Sequence, residues 1–258
     1  MFSRDEKTLV GYLTAGFPTV DDSVRALVAM AESGCDALEV GLPYTDPVMD
    51  GPAIQAASTA ALRNGTRTED VLRVVERVAA RTGVPVLVMT YWNPIEQYGI
   101  ERFADRLKDA GGVGCVLPDL PVQHSRPWRQ VAAGRGLDSV FIAAPSSTDR
   151  RIAEIAEAST GFVYAASTLG VTGMRSGVGG SGLVARIRTA TELPVFVGLG
   201  VSNGEQAQEV AGFADGVIVG SAIVRRMLDA PDTNTGIAEI RALCHELADG
   251  TRRLLSRA

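Results

Sequence analysis

The stretch TLVGYLTAGFPTVDDSVRALVAMAESGCDALEVG, residues 8–41, decides the fold. Its two ends, Thr8–Thr14 and Ala37–Gly41, are short apolar runs rich in strand-forming residues. Between them, DDSVRALVAMAESG places apolar residues three and four apart, the spacing of a helix that buries one face. Thr19 with Asp22 three positions on resembles a capping box, and Gly34 sits where a helical stop belongs. The unit is strand, helix, strand.

Outward from this unit the pattern repeats. Apolar runs recur at Pro85–Thr90, Gly114–Leu117, Ser139–Ala143, Phe162–Ala166, Pro194–Val197 and Gly216–Val219. Amphipathic segments such as EDVLRVVERVAARTG, IERFADRLKDAGG and DRRIAEIAEAS separate them, with Gly83 and Gly111 at further expected stops. Dividing 258 residues by eight gives ~32 per unit, the length of one strand, one helix and two loops, which predicts a (β/α)8 TIM barrel. A doubly wound sheet is the rival. No GxGxxG follows the first strand and no linker splits the chain, which favours one barrel domain over residues 1–258. Gly236 to Arg257 reads as a closing helix.

Composition narrows the function. Thirty acids against 25 bases give a net charge of -5, and the bases are scattered singly or in pairs such as Arg150-Arg151, Arg225-Arg226 and Arg252-Arg253. That speaks against a nucleic-acid surface. No apolar run reaches the ~18 residues of a membrane span, and MFSRDEKTLV is too polar for a signal peptide, so a cytoplasmic protein is expected. Cys35, Cys115 and Cys244 are too few and too widely spaced for a disulfide framework or a zinc site, and are expected as reduced core thiols. The lysines are Lys7 and Lys108, one before the first strand and one on a helix, so neither suits a Schiff base at a strand end. His124 and His245 cannot supply a converging metal-ligand set, and no metal is expected.

In a barrel, catalytic groups belong at the C-terminal ends of strands. The segment DALEVGLPYTDPVMDGPAIQ, residues 36–55, places Glu39 inside an apolar strand, where an ionised carboxylate is costly unless it is paired or functional. Asp46 and Asp50 follow in a loop stiffened by Pro43, Pro47 and Pro52. Two carboxylates at different depths of one mouth suit separate acid and base roles. A phosphate signal lies in STLGVTGMRSGVGG, GLGVSNGEQ and GSAIVRRM, after the sixth, seventh and eighth strands, where glycines and helix starts expose backbone N–H groups to a dianion. Thr172 to Gly180, with four glycines, reads as a lid. Tyr12, Tyr91 and Tyr164 stand near strand ends as candidate pocket walls, each equally readable as core packing. These groups suit metal-free acid–base chemistry on a phosphorylated substrate.

The sequence LEVGLPYTDPVMDGPAIQ, residues 38–55, resembles the signature of the tryptophan synthase alpha chain family. YLTAGFP, PDLPV, STLGVTG, GLGVS and VGSAIV follow in that family's order, so the resemblance covers nearly the whole chain. It implies a (β/α)8 barrel that cleaves indole-3-glycerol phosphate to indole and glyceraldehyde 3-phosphate with no metal or organic cofactor. Glu39 then resembles the acid–base that protonates indole C3, and Asp50 the group that holds the indole N–H. Tyr164 resembles the tyrosine beside that glutamate, Thr172 the lid threonine, and Gly173, Gly200, Gly220 and Ser221 the phosphate contacts. Tyr12, Ile54, Met89, Tyr91 and Leu199 are expected at the indole end.

The resemblance also implies a pyridoxal-phosphate beta chain as partner in an α2β2 complex, with Asp46 and Asn93 as candidate interface contacts. Two departures stand out: the N-terminal helix that many relatives place under the barrel is expected to be shortened, and Tyr12 and Met89 fill positions where relatives often carry other apolar residues. A stand-alone lyase, a non-catalytic regulatory subunit and a phosphosugar isomerase are the competing readings.

Overall fold

The computed structural model describes residues 2–166, 180–198 and 200–252. In chain order the elements are β1 (Thr8–Thr14), α1 (Val20–Glu32), β2 (Ala37–Gly41), α2 (Pro52–Arg63), α3 (Thr68–Thr82), β3 (Val86–Met89), α4 (Trp92–Tyr98), α5 (Ile100–Asp109), β4 (Gly114–Leu117), α6 (Arg126–Gly134), β5 (Asp138–Ala143), α7 (Asp149–Ala158), β6 (Val163–Ala166), α8 (Ser181–Arg188), β7 (Val195–Gly198), α9 (Gly204–Ala211), β8 (Gly216–Val219), α10 (Ser221–Asp229) and α11 (Thr233–Arg252). All neighbouring strands are parallel, and β8 pairs back onto β1 to close an eight-stranded barrel. This is the (β/α)8 fold that the strand spacing predicts.

β1, β2, β4, β6, β7 and β8 are buried along their whole length, which is why they read as apolar runs rather than alternating ones. Alternate residues divide between two environments. Leu9, Leu13, Leu38 and Val40 face the helices, whereas Val10, Ala37, Leu87, Val116, Val140 and Ile218 fill the barrel interior. Local signals place the helices. Thr19 caps α1 by accepting from the Asp22 N–H at 3.1 Å, while its own hydroxyl donates to the Asp22 carboxylate at 2.9 Å. α3 ends on Gly83 in the left-handed conformation, φ 69°, as expected of a C-terminal stop.

The closing helix differs from its expected bounds. α11 starts at Thr233 because Asp232 accepts from the N–H groups of Asn234 at 2.9 Å and Thr235 at 3.0 Å, capping the helix a turn before Gly236. The expected end, residues 253–257, lies outside the described residues.

The floor of the barrel is aromatic. Phe162 and Phe196 stack with centroids 4.3 Å apart, and Phe2 meets both edge-on at 5.4 and 5.3 Å. Arg4 holds this N-terminal segment in place, donating to the Thr191 carbonyl at 2.7 Å and to Glu192 at 2.7 Å. An aromatic side chain from a non-helical N-terminal segment thus stands under the barrel.

Cys35, Cys115 and Cys244 are free and buried; Cys35 donates to Cys244 across 3.7 Å where α11 packs beside the start of β2. Among the described residues, no helix is long and apolar enough to cross a membrane.

Candidate active site

Glu39 is the third residue of β2, paired in register with Tyr12 on β1 and Leu87 on β3. Its side chain points into the barrel, and the residue is 0% exposed. Neither carboxylate oxygen has a hydrogen-bond partner among the described residues. Burial alone drives its pKa from the ordinary 4.5 up to about 8, so the group is protonated at neutral pH. A buried, unpaired carboxyl lowers stability, and such a cost is tolerated where the group has work to do.

Glu39 opens into a cavity of about 120 Å³ lined by Tyr12, Met49, Asp50, Gly51, Ile54, Met89, Tyr164, Gly200, Ile218, Gly220 and Ser221. Two inward glycines shape it. A Cβ on Gly41 would lie 2.1 Å from the Tyr12 hydroxyl, and one on Gly198 would lie 1.9 Å from the Tyr164 hydroxyl. Only glycine at the ends of β2 and β7 lets the two rings lie across the mouth of the barrel. Tyr12 bonds Thr14 at 3.3 Å, and burial raises the pKa of both tyrosines, with the nearby Glu39 charge adding to the effect.

Asp50 sits at the other wall, at the end of the loop that joins β2 to α2. Burial pushes its carboxyl above the usual range, and a hydrogen bond from Tyr91 opposes that shift. Tyr91 also accepts from the Met49 N–H at 2.9 Å and lies against the Tyr44 ring at a centroid distance of 5.3 Å. Tyr91 therefore braces the loop that carries Asp50, standing behind the residues that line the cavity. The loop tip turns outward, with Val48 78% and Met49 52% exposed.

Gly200, Gly220 and Ser221 converge on the third wall. Gly220 is the N-cap of α10 and supplies no side-chain cap, so the first N–H groups of that helix are free to meet an anion. The remaining expected contacts, Thr172, Gly173, Leu199 and the lid through residue 179, lie outside the described residues. Asp46 and Asn93 are exposed at the same end of the barrel. Asp46 accepts from Thr45 at 2.6 Å, and Asn93 borders a groove of about 410 Å³ whose other wall is Pro43, Tyr44 and Thr45. Asp119 was not singled out from the sequence; it accepts from the Trp92 N–H at 2.9 Å and starts α4, a role that only the neighbouring loop reveals.

Residues 1–252 match the family model described as "Tryptophan synthase alpha chain". The chain belongs to the tryptophan synthase alpha chain family. Similar members include the "Tryptophan synthase alpha chain" of Streptomyces avermitilis, 59% identical over 97% of this chain and 91% of the relative, and that of Mycobacterium avium, 50% identical over 96% and 90%. Among solved structures, a Mycobacterium tuberculosis tryptophan synthase superimposes with a TM-score of 0.88 at 48% identity, over 96% of this chain and 94% of that one. The alpha-chain fold is therefore shared across the whole described barrel, including the strand that carries Glu39.

Proposed function

We propose that Glu39 and Asp50 carry the reaction of this chain, a lyase that cleaves indole-3-glycerol phosphate to indole and glyceraldehyde 3-phosphate. The observation that carries the assignment is the buried Glu39 carboxyl, without a hydrogen-bond partner among the described residues and with its pKa raised to about 8, at the end of a cavity that also receives Asp50. At neutral pH Glu39 holds a proton and donates it to indole C3, which turns the ring into a cationic indolenine. The carboxylate left behind then takes the proton from the glycerol hydroxyl next to the ring. As that O–H bond breaks, the C–O bond becomes a carbonyl, the carbon–carbon bond to the ring opens, and its electron pair restores the aromatic indole. One proton is given and one is recovered, so Glu39 ends as it began.

Asp50 accepts a hydrogen bond from the indole N–H and stabilises the cation while it exists. Tyr164 packs beside Glu39, Tyr12, Ile54 and Met89 enclose the ring, and the N–H groups of Gly200, Gly220 and Ser221 receive the phosphate. These steps use side chains and backbone of this chain alone. The chain works with a tryptophan synthase beta chain, which consumes the indole. The exposed tip formed by Val48 and Met49, together with Asp46 and Asn93, faces that partner, so that docking bears directly on the loop holding Asp50.

The test is indole release from indole-3-glycerol phosphate by the chain with its beta chain. Glu39→Gln lowers release by about 10³–10⁴-fold, and Asp50→Asn lowers it by about 10²-fold with the fold unchanged by circular dichroism. Wild-type turnover in Glu39→Gln removes the proposal.

A further inference from the structure

The catalytic cavity is too small for the whole substrate. Its volume of about 120 Å³ is below the ~300–1,000 Å³ that whole ligand sites commonly enclose. The cavity takes the reacting ring, and the phosphate end extends beyond it. Shared walls show where. Gly200 and Ser221 line the cavity and also line an adjoining groove of about 490 Å³ bounded by the loop after β7, α10 and α11.

That groove carries two guanidinium groups, Arg225 and Arg226. Arg225 follows Ser221 by four residues on α10, which places it on the same helix face one turn on. Among the described residues neither arginine forms an ion pair. Asp229 and Glu239 line the groove as well. Asp229 is a further turn along α10 from Ser221, so on that helix the base stands nearer than the acid to the free N–H groups.

Resting on the phosphate assignment of Gly200, Gly220 and Ser221, we infer that Arg225, assisted by Arg226, is a positioning residue for the phosphate of the substrate and selects the phosphorylated ester. Backbone N–H groups give the dianion direction but only partial positive charge. A guanidinium one turn away adds a full charge, which draws the dianion in and resists its escape.

The inference is tested on the complex with the beta chain. Arg225→Gln raises KM for indole-3-glycerol phosphate about five- to tenfold while kcat moves by less than about twofold; Arg226→Gln does the same to a smaller extent, and Arg225→Lys recovers most of the loss. Inorganic phosphate, used as a competitive inhibitor, weakens in parallel, and the wild-type KM rises more steeply with salt than that of the variant. Arg81→Gln removes the same charge from the last turn of α3 at the opposite end of the barrel and leaves KM unchanged. An unchanged KM and unchanged phosphate inhibition in the Arg225→Gln, Arg226→Gln double variant overturn the inference, as does a fall in kcat at constant KM. Activity of Glu39→Gln is measured beside them; its persistence overturns the acid–base proposal instead, whatever the arginine variants show.

Discussion

The two ends of the barrel interior are built by opposite rules. At the floor, Phe2, Phe162 and Phe196 pack ring against ring, and the latter two are 0% exposed with no polar atom among them. At the mouth, Glu39 of β2 is buried with no hydrogen-bond partner among the described residues, and two tyrosine rings fit only because glycine stands opposite each. The floor gains free energy from burial; the mouth gives some up to hold Glu39 in its protonated form. Stability and chemistry are separated along the barrel axis, as the fold generally allows.

Substitutions that cross the two properties test this separation. Glu39→Gln has the largest expected effect: a loss of indole release of about 10³–10⁴-fold, with a melting temperature equal to or above that of the wild type. A large fall in melting temperature there breaks the comparison. Phe196→Ala does the reverse, costing about 3–5 kcal/mol in denaturant unfolding while kcat of the folded fraction stays within about threefold.

The proton on Glu39 sharpens the contrast. Its pKa rises from 4.5 to about 8 on folding, so below 4.5 both states hold the proton and the group carries no pH dependence. Between those values the unfolded chain releases a proton that the folded chain keeps, and stability falls as pH rises by about 1.4 kcal/mol per pH unit. Glu39→Gln lacks this slope. The stability difference between the variant and the wild type therefore grows in favour of the variant from pH 5 to pH 8, read by urea unfolding of the two chains side by side. Over the same window kcat/KM holds and then falls as pH passes about 8, because the proton donor is lost. The smallest effect belongs to Tyr12→Phe, which removes the hydroxyl bonded to Thr14 and lowers kcat/KM by less than about tenfold.

Much of this was legible in the sequence because parallel strands announce themselves as buried apolar runs. β1, β2, β4 and β8 have the bounds read from residue pattern alone, and the others shift by one residue at one or both ends. Glu39 was legible because a carboxyl in such a run contradicts its surroundings. Features that depend on distant partners were not. Tyr91 reads equally as pocket wall or core packing until the Met49 N–H is seen to reach its hydroxyl. α2 is rich in alanine and shows little amphipathic contrast, and α4 is short and contains Pro94. Phe2 gains its meaning from Phe162 and Phe196, more than 150 residues away along the chain. Arg225 and Arg226 looked like scattered charge, and only the groove beside Ser221 distinguishes them.

The three buried thiols supply a readout of motion. Burial raises the Cys115 thiol pKa, and the contact with Cys244 followed by burial raises that of Cys35, so thiolate is scarce while the fold is closed. A thiol-reactive dye therefore labels the chain only during opening, and its rate is a clock for that event. Cys35 and Cys244 time the lifting of α11 from the start of β2, whereas Cys115, on the helix-facing side of β4, times the lifting of the helices that cover that strand. Mass spectrometry of the labelled peptides orders these two openings without introducing a probe.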